Sequence, residues 1–122
     1  MVLEGSNFRD GMLSYRDGDF QKAKKSFDLA LSQDHAIQAN FMLGKMYLYG
    51  EGVLANIQTS IKYLERASQS GNIRADCYLA EAYIKNGTDK KKAILLLKTG
   101  IKRNIKECKK IYNMQIKQGA KK

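Results

Sequence analysis

The apolar positions of the chain recur at helical spacing, and the whole pattern then recurs once. The segment Ala39–Tyr47 returns 36 residues later as Ala75–Tyr83. The shared positions are Ala39, Leu43, Gly44 and Tyr47 in the first copy and Ala75, Leu79, Ala80 and Tyr83 in the second. Apolar residues at i, i+4 and i+8 form one stripe of an α-helix, and the small residue beside the leucine lets a second helix approach closely. Each segment is therefore predicted to be the first helix of a pair.

A second apolar stripe follows each of these first helices. The two stripes are Ile57, Ile61, Leu64 and Ala67, and Ala93, Ile94, Leu97 and Ile101. Upstream, the segments Phe8 to Tyr15 and Phe20 to Leu31 predict another helix pair, with Asp17-Gly18-Asp19 as the turn between them. Downstream, a lone amphipathic helix is predicted from about Lys106 to Gln118, where it would cover the open end of the stack. Its apolar positions are Cys108, Ile111, Tyr112 and Ile116.

These elements predict an all-α protein, an α-solenoid of about three antiparallel helix pairs with a C-terminal capping helix. The chain has 122 residues, enough for one domain, and it contains no proline and no tryptophan. We expect a single helical-repeat domain over residues 1–122. Its predicted parts are repeat 1 at about 5–36, repeat 2 at about 37–72, repeat 3 at about 73–105, the capping helix at about 106–118 and a basic tail at 119–122.

The segment from Ala39 to Gly71 resembles a Sel-1-like repeat. Its residues in register with that pattern are Leu43, Gly44, Tyr47, Gly50, Gly52, Val53, Tyr63, Ala67 and Gly71. Asn56 stands where aspartate is usual, and Ser60 and Ser68 replace alanines. The third pair is a weaker member: its turn at 86–89 is four residues shorter, and Gly100 replaces an alanine.

The first pair is similar to the related tetratricopeptide repeat, with His35 where proline is expected. Its matching positions are Gly11, Tyr15, Gly18, Asp19, Phe20, Ala23, Phe27, Ala30, Leu31 and Asp34. Together the two resemblances cover residues 5 to 105 and imply stacked helix pairs. They also imply a concave surface that binds a peptide, a helix or another protein's surface.

The stretch LGKMYLYGEGV, residues 43–53, raises the question of a phosphate-binding glycine loop. Such a loop follows a strand and opens a helix, whereas Gly50 and Gly52 follow a predicted helix. They are predicted to end that helix in a widened turn, with Val53 packed back on the helix pair and Asn56 as the N-cap of the next helix. The stretch is therefore interpreted as a hinge between two helices.

The sequence offers no catalytic set, and we expect no enzyme, no cofactor and no metal site. Asp17 and Asp19 lie in a turn where aspartate is a good turn and capping residue, and the single histidine, His35, is expected to connect two helices. Cys77 and Cys108 are interpreted first as two small buried hydrophobes; the alternative is a bridge between successive helices of the array.

Positive charge is concentrated in the last third of the chain. Thirteen of the 22 Lys and Arg residues lie from Lys85 onward, against two acidic residues, so that this part carries +11 and the remainder −1 of the net charge of +10. The basic patch consists of Lys90, Lys91, Lys92, Lys98, Lys102, Arg103, Lys106, Lys109 and Lys110. An acidic protein, nucleic acid or anionic membrane could be attracted to this patch. A solvated helical face with a lysine tail explains the concentration of positive charge equally well.

Function is predicted to lie in the groove formed by the first helices, as a non-catalytic protein-interaction module or adaptor. The predicted groove residues are Phe8, Met12, Tyr15, Arg16, Phe41, Lys45, Tyr49, Arg74, Glu81 and Lys85, to which Cys77 is added by position. Aromatic residues mixed with cations are typical of protein-binding anchors. The alternative function is non-specific binding of nucleic acid or an acidic surface by the basic patch. Self-assembly as a scaffold piece is a lesser alternative.

Neither a signal peptide nor an apolar run long enough to span a bilayer is apparent in the sequence. We expect a cytoplasmic monomer, with bacterial origin suggested by the resemblance and by a composition rich in Lys, Ile and Asn.

Overall fold

A computed structural model describes residues 6–118 of the chain. Within this range the protein forms seven α-helices and no strand, which confirms the all-α prediction. The helices are α1 (Ser6–Arg16), α2 (Phe20–Asp34), α3 (Ala39–Tyr49), α4 (Ile57–Gln69), α5 (Ile73–Asn86), α6 (Lys90–Lys102) and α7 (Lys106–Tyr112), which a π-helical turn (Asn113–Lys117) extends. The predicted basic tail at 119–122 and the first residue of repeat 1 lie outside the described residues.

Successive helices pack as antiparallel pairs, and the pairs stack. Helix α1 packs on α2, α3 on α4 and α5 on α6, while α7 packs on both α5 and α6 and covers the end of the stack. The core runs through all three pairs along their facing sides. Its largest fully buried apolar side chains are Phe27, Leu43, Met46, Leu64 and Leu97. The predicted α-solenoid with a capping helix is therefore confirmed.

The glycines after α3 make a helix-to-helix hinge, as predicted. Gly50 and Gly52 have φ values of 71° and 74°, and the side chain of Asn56 caps α4 by accepting a hydrogen bond from the Thr59 amide at 3.0 Å. A Cβ on Gly52 would lie 2.6 Å from the carbonyl carbon of Phe20, at the start of α2. The hinge therefore packs against the preceding repeat. This contact requires glycine at position 52 because it has no side chain, and the backbone conformation favours glycine as well.

The small residue in the middle of α3 brings α3 and α4 into close contact. A Cβ on Gly44 would lie 2.6 Å from the side chain of Leu64. The hydroxyl of Ser60, which stands where the resembled repeat has alanine, donates a 2.7 Å hydrogen bond to the Gly44 carbonyl oxygen. Because this hydroxyl is fully buried, the bond provides the partner that a buried polar group requires.

Cys77 and Cys108 are joined by a disulfide, so the preferred interpretation of two separate buried thiols is wrong. The alternative is correct about the bridge but not about successive helices, because α6 lies between the two bridged helices along the chain. Both residues are fully buried, as expected. The bond connects α5 to α7 and therefore fastens the capping helix to the last repeat. It also explains the glycine that replaces alanine in α6, because a Cβ on Gly100 would lie 2.2 Å from the Cys108 sulfur.

The remaining connections agree with the sequence. Gly18 lies in the left-handed region, and Asp19 caps α2 by accepting a hydrogen bond from the Lys22 amide. His35 ends α2 with a φ of 53°, which confirms its helix-connecting position. Among the residues that the structure describes, no helix is both long and apolar enough to cross a membrane.

Candidate partner-binding groove

Two adjacent pockets lie along the face formed by α1, α3, α5 and α7, and together we call them the groove. The N-terminal pocket, about 340 Å³, lies between α1, α3 and the start of α5. The C-terminal pocket, about 430 Å³, lies between the end of α3, α5 and α7 with its π-helical turn. The odd-numbered helices therefore build the groove, while α2, α4 and α6 support them from behind.

Nine of the ten predicted groove residues line one of these pockets. The N-terminal pocket contains Phe8, Met12, Tyr15, Phe41, Lys45 and Arg74. The C-terminal pocket contains Tyr49, Glu81 and Lys85. Arg16 lines neither pocket, and its exposed guanidinium lies 3.7 Å from Asp17. Cys77 was placed in the groove by position only, and this is wrong because the residue is fully buried in the disulfide.

Tyr78 is the groove residue that the sequence interpretation missed, and it connects the two pockets. It lines the C-terminal pocket, and its ring centre lies 5.6 Å from that of Phe41 and 6.2 Å from that of Tyr49. The sequence could have indicated Tyr78, because residues 74, 78, 81 and 85 follow the i, i+4, i+7, i+11 spacing of one helix face. The disulfide excludes Cys77 from this face, and Tyr78 takes its place.

Cations of the groove lie against aromatic faces. The Lys45 ammonium lies 5.3 Å from the ring centres of both Tyr15 and Tyr78. Arg74 lies 5.2 Å from the Phe41 ring centre, and Lys85 lies 5.2 Å from that of Tyr49. Each geometry is within the range of a cation–π contact, which holds the long side chains in place.

Two carboxylates accept hydrogen bonds from groove tyrosines. The Tyr15 hydroxyl donates to Glu51, with its oxygen 2.8 Å from Oε1 and 3.0 Å from Oε2, and the Tyr49 hydroxyl donates to the buried Glu81. Burial, and then these hydrogen bonds, raise the pKa of both tyrosines. Both hydroxyls therefore remain protonated donors at neutral pH, and the two rings are held in fixed orientations.

Two ion pairs lie in the groove, one between α5 and α7 and one within α5. Arg74 Nε lies 2.6 Å from a carboxylate oxygen of Glu107, which links α5 to α7 near the disulfide. Lys85 Nζ lies 3.5 Å from Glu81. Burial opposes ionisation of Glu107, but hydrogen bonds from its own backbone amide and from Arg74 outweigh it and lower the pKa of this carboxyl. The capping helix is therefore held to α5 by one covalent and one ionic contact.

The nine residues of the predicted basic patch are all exposed on α6, α7 and the connection between them. Among the described residues, none of the nine lies within 4.0 Å of a carboxylate oxygen. Lys90, Lys91 and Lys92 lie at the start of α6, whereas Lys102 and Arg103 lie at its end. The patch therefore extends over the length of α6, and Lys110 alone of its members lines the groove.

No group of three or more His, Cys, Asp or Glu side chains within residues 6–118 could hold a metal ion. The single histidine, His35, is exposed at the end of α2 and lines neither groove pocket. The groove offers hydrogen-bond donors, cations and aromatic faces, a set that suits binding.

Comparison with protein families gives a match in the middle of the chain. Residues 37–72 match the family model of the Sel1 repeat. This segment, less than a third of the chain, is similar to a Sel1 repeat. This repeat consists of α3, the glycine hinge and α4, and it therefore supplies the central wall of the groove through Phe41, Lys45 and Tyr49. No solved structure matches the chain.

Proposed function

We propose that the chain is a non-catalytic protein-interaction module whose groove binds an extended segment or a surface of a partner protein. The observation that carries this proposal is the arrangement around Tyr78, which joins two pockets lined by aromatic rings and cations from four helices. Side chains of this kind, held in place by their own hydrogen bonds, lose little conformational freedom on binding. The Sel1 repeat at the centre of the groove also favours a protein-interaction role.

A matched pair of substitutions on α1 tests the proposal. Met12 is 39% exposed and lines the N-terminal pocket, whereas its neighbour Leu13 is 42% exposed and lines neither groove pocket. Met12→Glu places a charge inside the groove, and Leu13→Glu places the same charge outside it on the same helix. Proteins captured from a nuclease-treated lysate by the wild type should be lost with Met12→Glu and retained with Leu13→Glu. Equal capture by both variants would contradict groove binding.

A second candidate function is binding of nucleic acid or an anionic surface by the basic patch. Its support is the exposure of all nine residues and the lack of a carboxylate beside any of them in the described part of the chain. The variant Lys98→Gln/Lys102→Gln/Lys106→Gln/Lys109→Gln removes four of these charges without touching either groove pocket. This candidate would be supported instead if capture is lost in this variant, falls steeply with salt and is unchanged by Met12→Glu.

The cellular location stays a prediction. A cytoplasmic protein was expected from the sequence, but disulfides persist mainly in oxidising compartments. The Cys77–Cys108 bond is therefore an argument for an oxidising compartment. Thiol alkylation of the protein in its native cells, before lysis, tests this directly: protection of both cysteines favours an oxidising compartment, and labelling of both favours the cytoplasm.

A further inference from the structure

Within the N-terminal pocket, Lys45 is the cation whose charge has no counter-charge in contact. It is half-buried at the centre of α3, between the rings of Tyr15 and Tyr78. Arg74 and Lys85 pair with Glu107 and Glu81, whereas no carboxylate among the described residues lies within 4.0 Å of Lys45 Nζ. Burial lowers the pKa of this ammonium, which means that its charged form is disfavoured where it lies.

The two carboxylates that attract the Lys45 ammonium are already engaged. Glu107 pairs with Arg74, and the single proton of the Tyr15 hydroxyl is shared between both oxygens of Glu51. This contact holds the Glu51 carboxylate at the phenolic end of Tyr15, while Lys45 lies over the ring face. The ammonium therefore has no carboxylate of the described residues in contact, and a partly desolvated cation gains most from an anion that arrives with the partner.

The surroundings of Lys45 are mainly apolar. The N-terminal pocket has Phe8, Met12, Phe41 and Met42 on its walls, and the amides of Gln38 and Asn72 at its edge. Its volume of about 340 Å³ is at the small end of the range for ligand sites, which suits one large side chain with its adjoining backbone. An apolar pocket beside an unneutralised ammonium is complementary to an apolar side chain next to a carboxylate.

We infer that the occupant of the groove is an extended segment of another protein in which an Asp or Glu side chain adjoins a large apolar residue; this rests on the groove function proposed above. The apolar side chain fills the N-terminal pocket, and the carboxylate accepts hydrogen bonds from Lys45 between the two tyrosine rings. A single, monovalent carboxylate matches the single uncompensated charge of the N-terminal pocket, and the remaining segment follows Tyr78 toward the C-terminal pocket.

A random peptide library, displayed within a longer polypeptide so that no free C-terminus is offered, tests this inference. It is selected against the wild type, Lys45→Met, Lys45→Arg and Lys62→Met. Methionine keeps the length of the side chain and removes its charge, arginine keeps the charge, and the exposed Lys62 on α4 is a control outside the groove. The best wild-type peptide is then synthesised as a free acid and as a C-terminal amide, and its affinity for all four proteins is measured.

The inference expects wild-type selections rich in Asp or Glu next to Leu, Phe, Met or Ile. It expects Lys45→Met to lose the acidic preference, to keep the apolar one and to bind the wild-type peptide at least about tenfold more weakly. Lys45→Arg and Lys62→Met should keep both preferences, and the acid and amide peptides should bind equally.

Four results would overturn it. Apolar peptides without an acidic preference, or an acidic preference that survives Lys45→Met, would refute the carboxylate contact and leave the groove function standing. Binding that needs the free acid would assign the carboxylate to a chain terminus instead of a side chain. If neither the folded wild type nor the control variants select any peptide, the groove function and the inference are both refuted.

Discussion

The Cα of Gly52 lies directly against the backbone of Phe20, so that a Cβ on Gly52 would be 2.6 Å from the carbonyl carbon and 2.7 Å from the carbonyl oxygen of that residue. Gly52 belongs to the hinge between α3 and α4, and Phe20 begins α2. The contact therefore joins two successive repeats through their turns. The glycine that looked at first like part of a phosphate loop is a packing residue of the solenoid.

We expect Gly52→Ala to destabilise the protein more than Gly71→Ala does. Both glycines have positive φ, 74° and 89°, but a Cβ on Gly71 would meet nothing within 4 Å. Gly71→Ala should therefore cost only the backbone strain, about 1–2 kcal/mol. Gly52→Ala should cost about 1–3 kcal/mol more, because the overlap is with backbone atoms that cannot move aside. Urea denaturation of both variants measures the difference, and equal losses would contradict the inter-repeat contact.

We expect the effect of Gly100→Ala to depend on the disulfide. In the wild type a Cβ at this position would overlap the Cys108 sulfur, so the substitution should destabilise α6 against α7. In a Cys77→Ala/Cys108→Ala background the sulfur is gone and only the Cβ of residue 108 remains, at 2.8 Å, so the same substitution should cost less stability. A double-mutant cycle of unfolding free energies checks this difference between the two backgrounds. The same cost in both backgrounds would show that the disulfide is not the reason for the glycine.

We expect reduction of the disulfide to lower the free energy of unfolding by about 3–4 kcal/mol, since the bond closes a loop between residues 31 positions apart. Helix α7 should lose the most protection, because the bond is its covalent attachment to α5. Hydrogen exchange with and without reductant measures this, with α1 as the internal reference. The Cys77→Ala/Cys108→Ala variant should be insensitive to reductant. Unchanged protection of α7 in the reduced wild type would contradict this role of the bond.

We expect the protein to lose stability above about pH 10, because burial raises the pKa of several tyrosines. The affected residues are Tyr15, Tyr49, Tyr63, Tyr78 and Tyr83. Their pKa is higher in the folded than in the unfolded chain. Their contribution to the free energy of unfolding is therefore complete below the pKa of the unfolded chain, and it is lost as the pH rises through the pKa of the folded chain. Absorbance of tyrosinate should rise later in the native protein than in guanidinium chloride. Coincident titration curves would refute the partial burial of these rings and the hydrogen bonds of Tyr15, Tyr49 and Tyr83.

The sequence predicted the helices well because their apolar stripes and caps are local features. The hinge at Gly50 and Gly52, the cap at Asn56 and the turn before Asp19 depend on residues within one turn of the position concerned, and all were confirmed. The capping helix was predicted as one α-helix, and its last turn is π-helical, which periodicity alone does not distinguish.

The parts that the sequence did not settle depend on contacts between distant residues. The disulfide was left as the less favoured alternative, because two cysteines 31 residues apart carry no spacing signal. Cys77 faces the core, where it forms that bond, and Tyr78 is the neighbouring α5 residue that lines the groove. Arg16 was included as the end of a helical stripe, but α1 ends there and its side chain lies outside both pockets.

The most direct test of the account is the affinity of one peptide, selected on the wild type, for three proteins: the wild type, Met12→Glu and Leu13→Glu. Fluorescence anisotropy at low and at high salt gives each dissociation constant. If the groove is the binding site, Met12→Glu should weaken binding by at least about tenfold and Leu13→Glu by less than about twofold, at both salt concentrations. Equal affinities for the two variants, with binding that disappears at high salt, would contradict the groove and place the binding site on the basic patch.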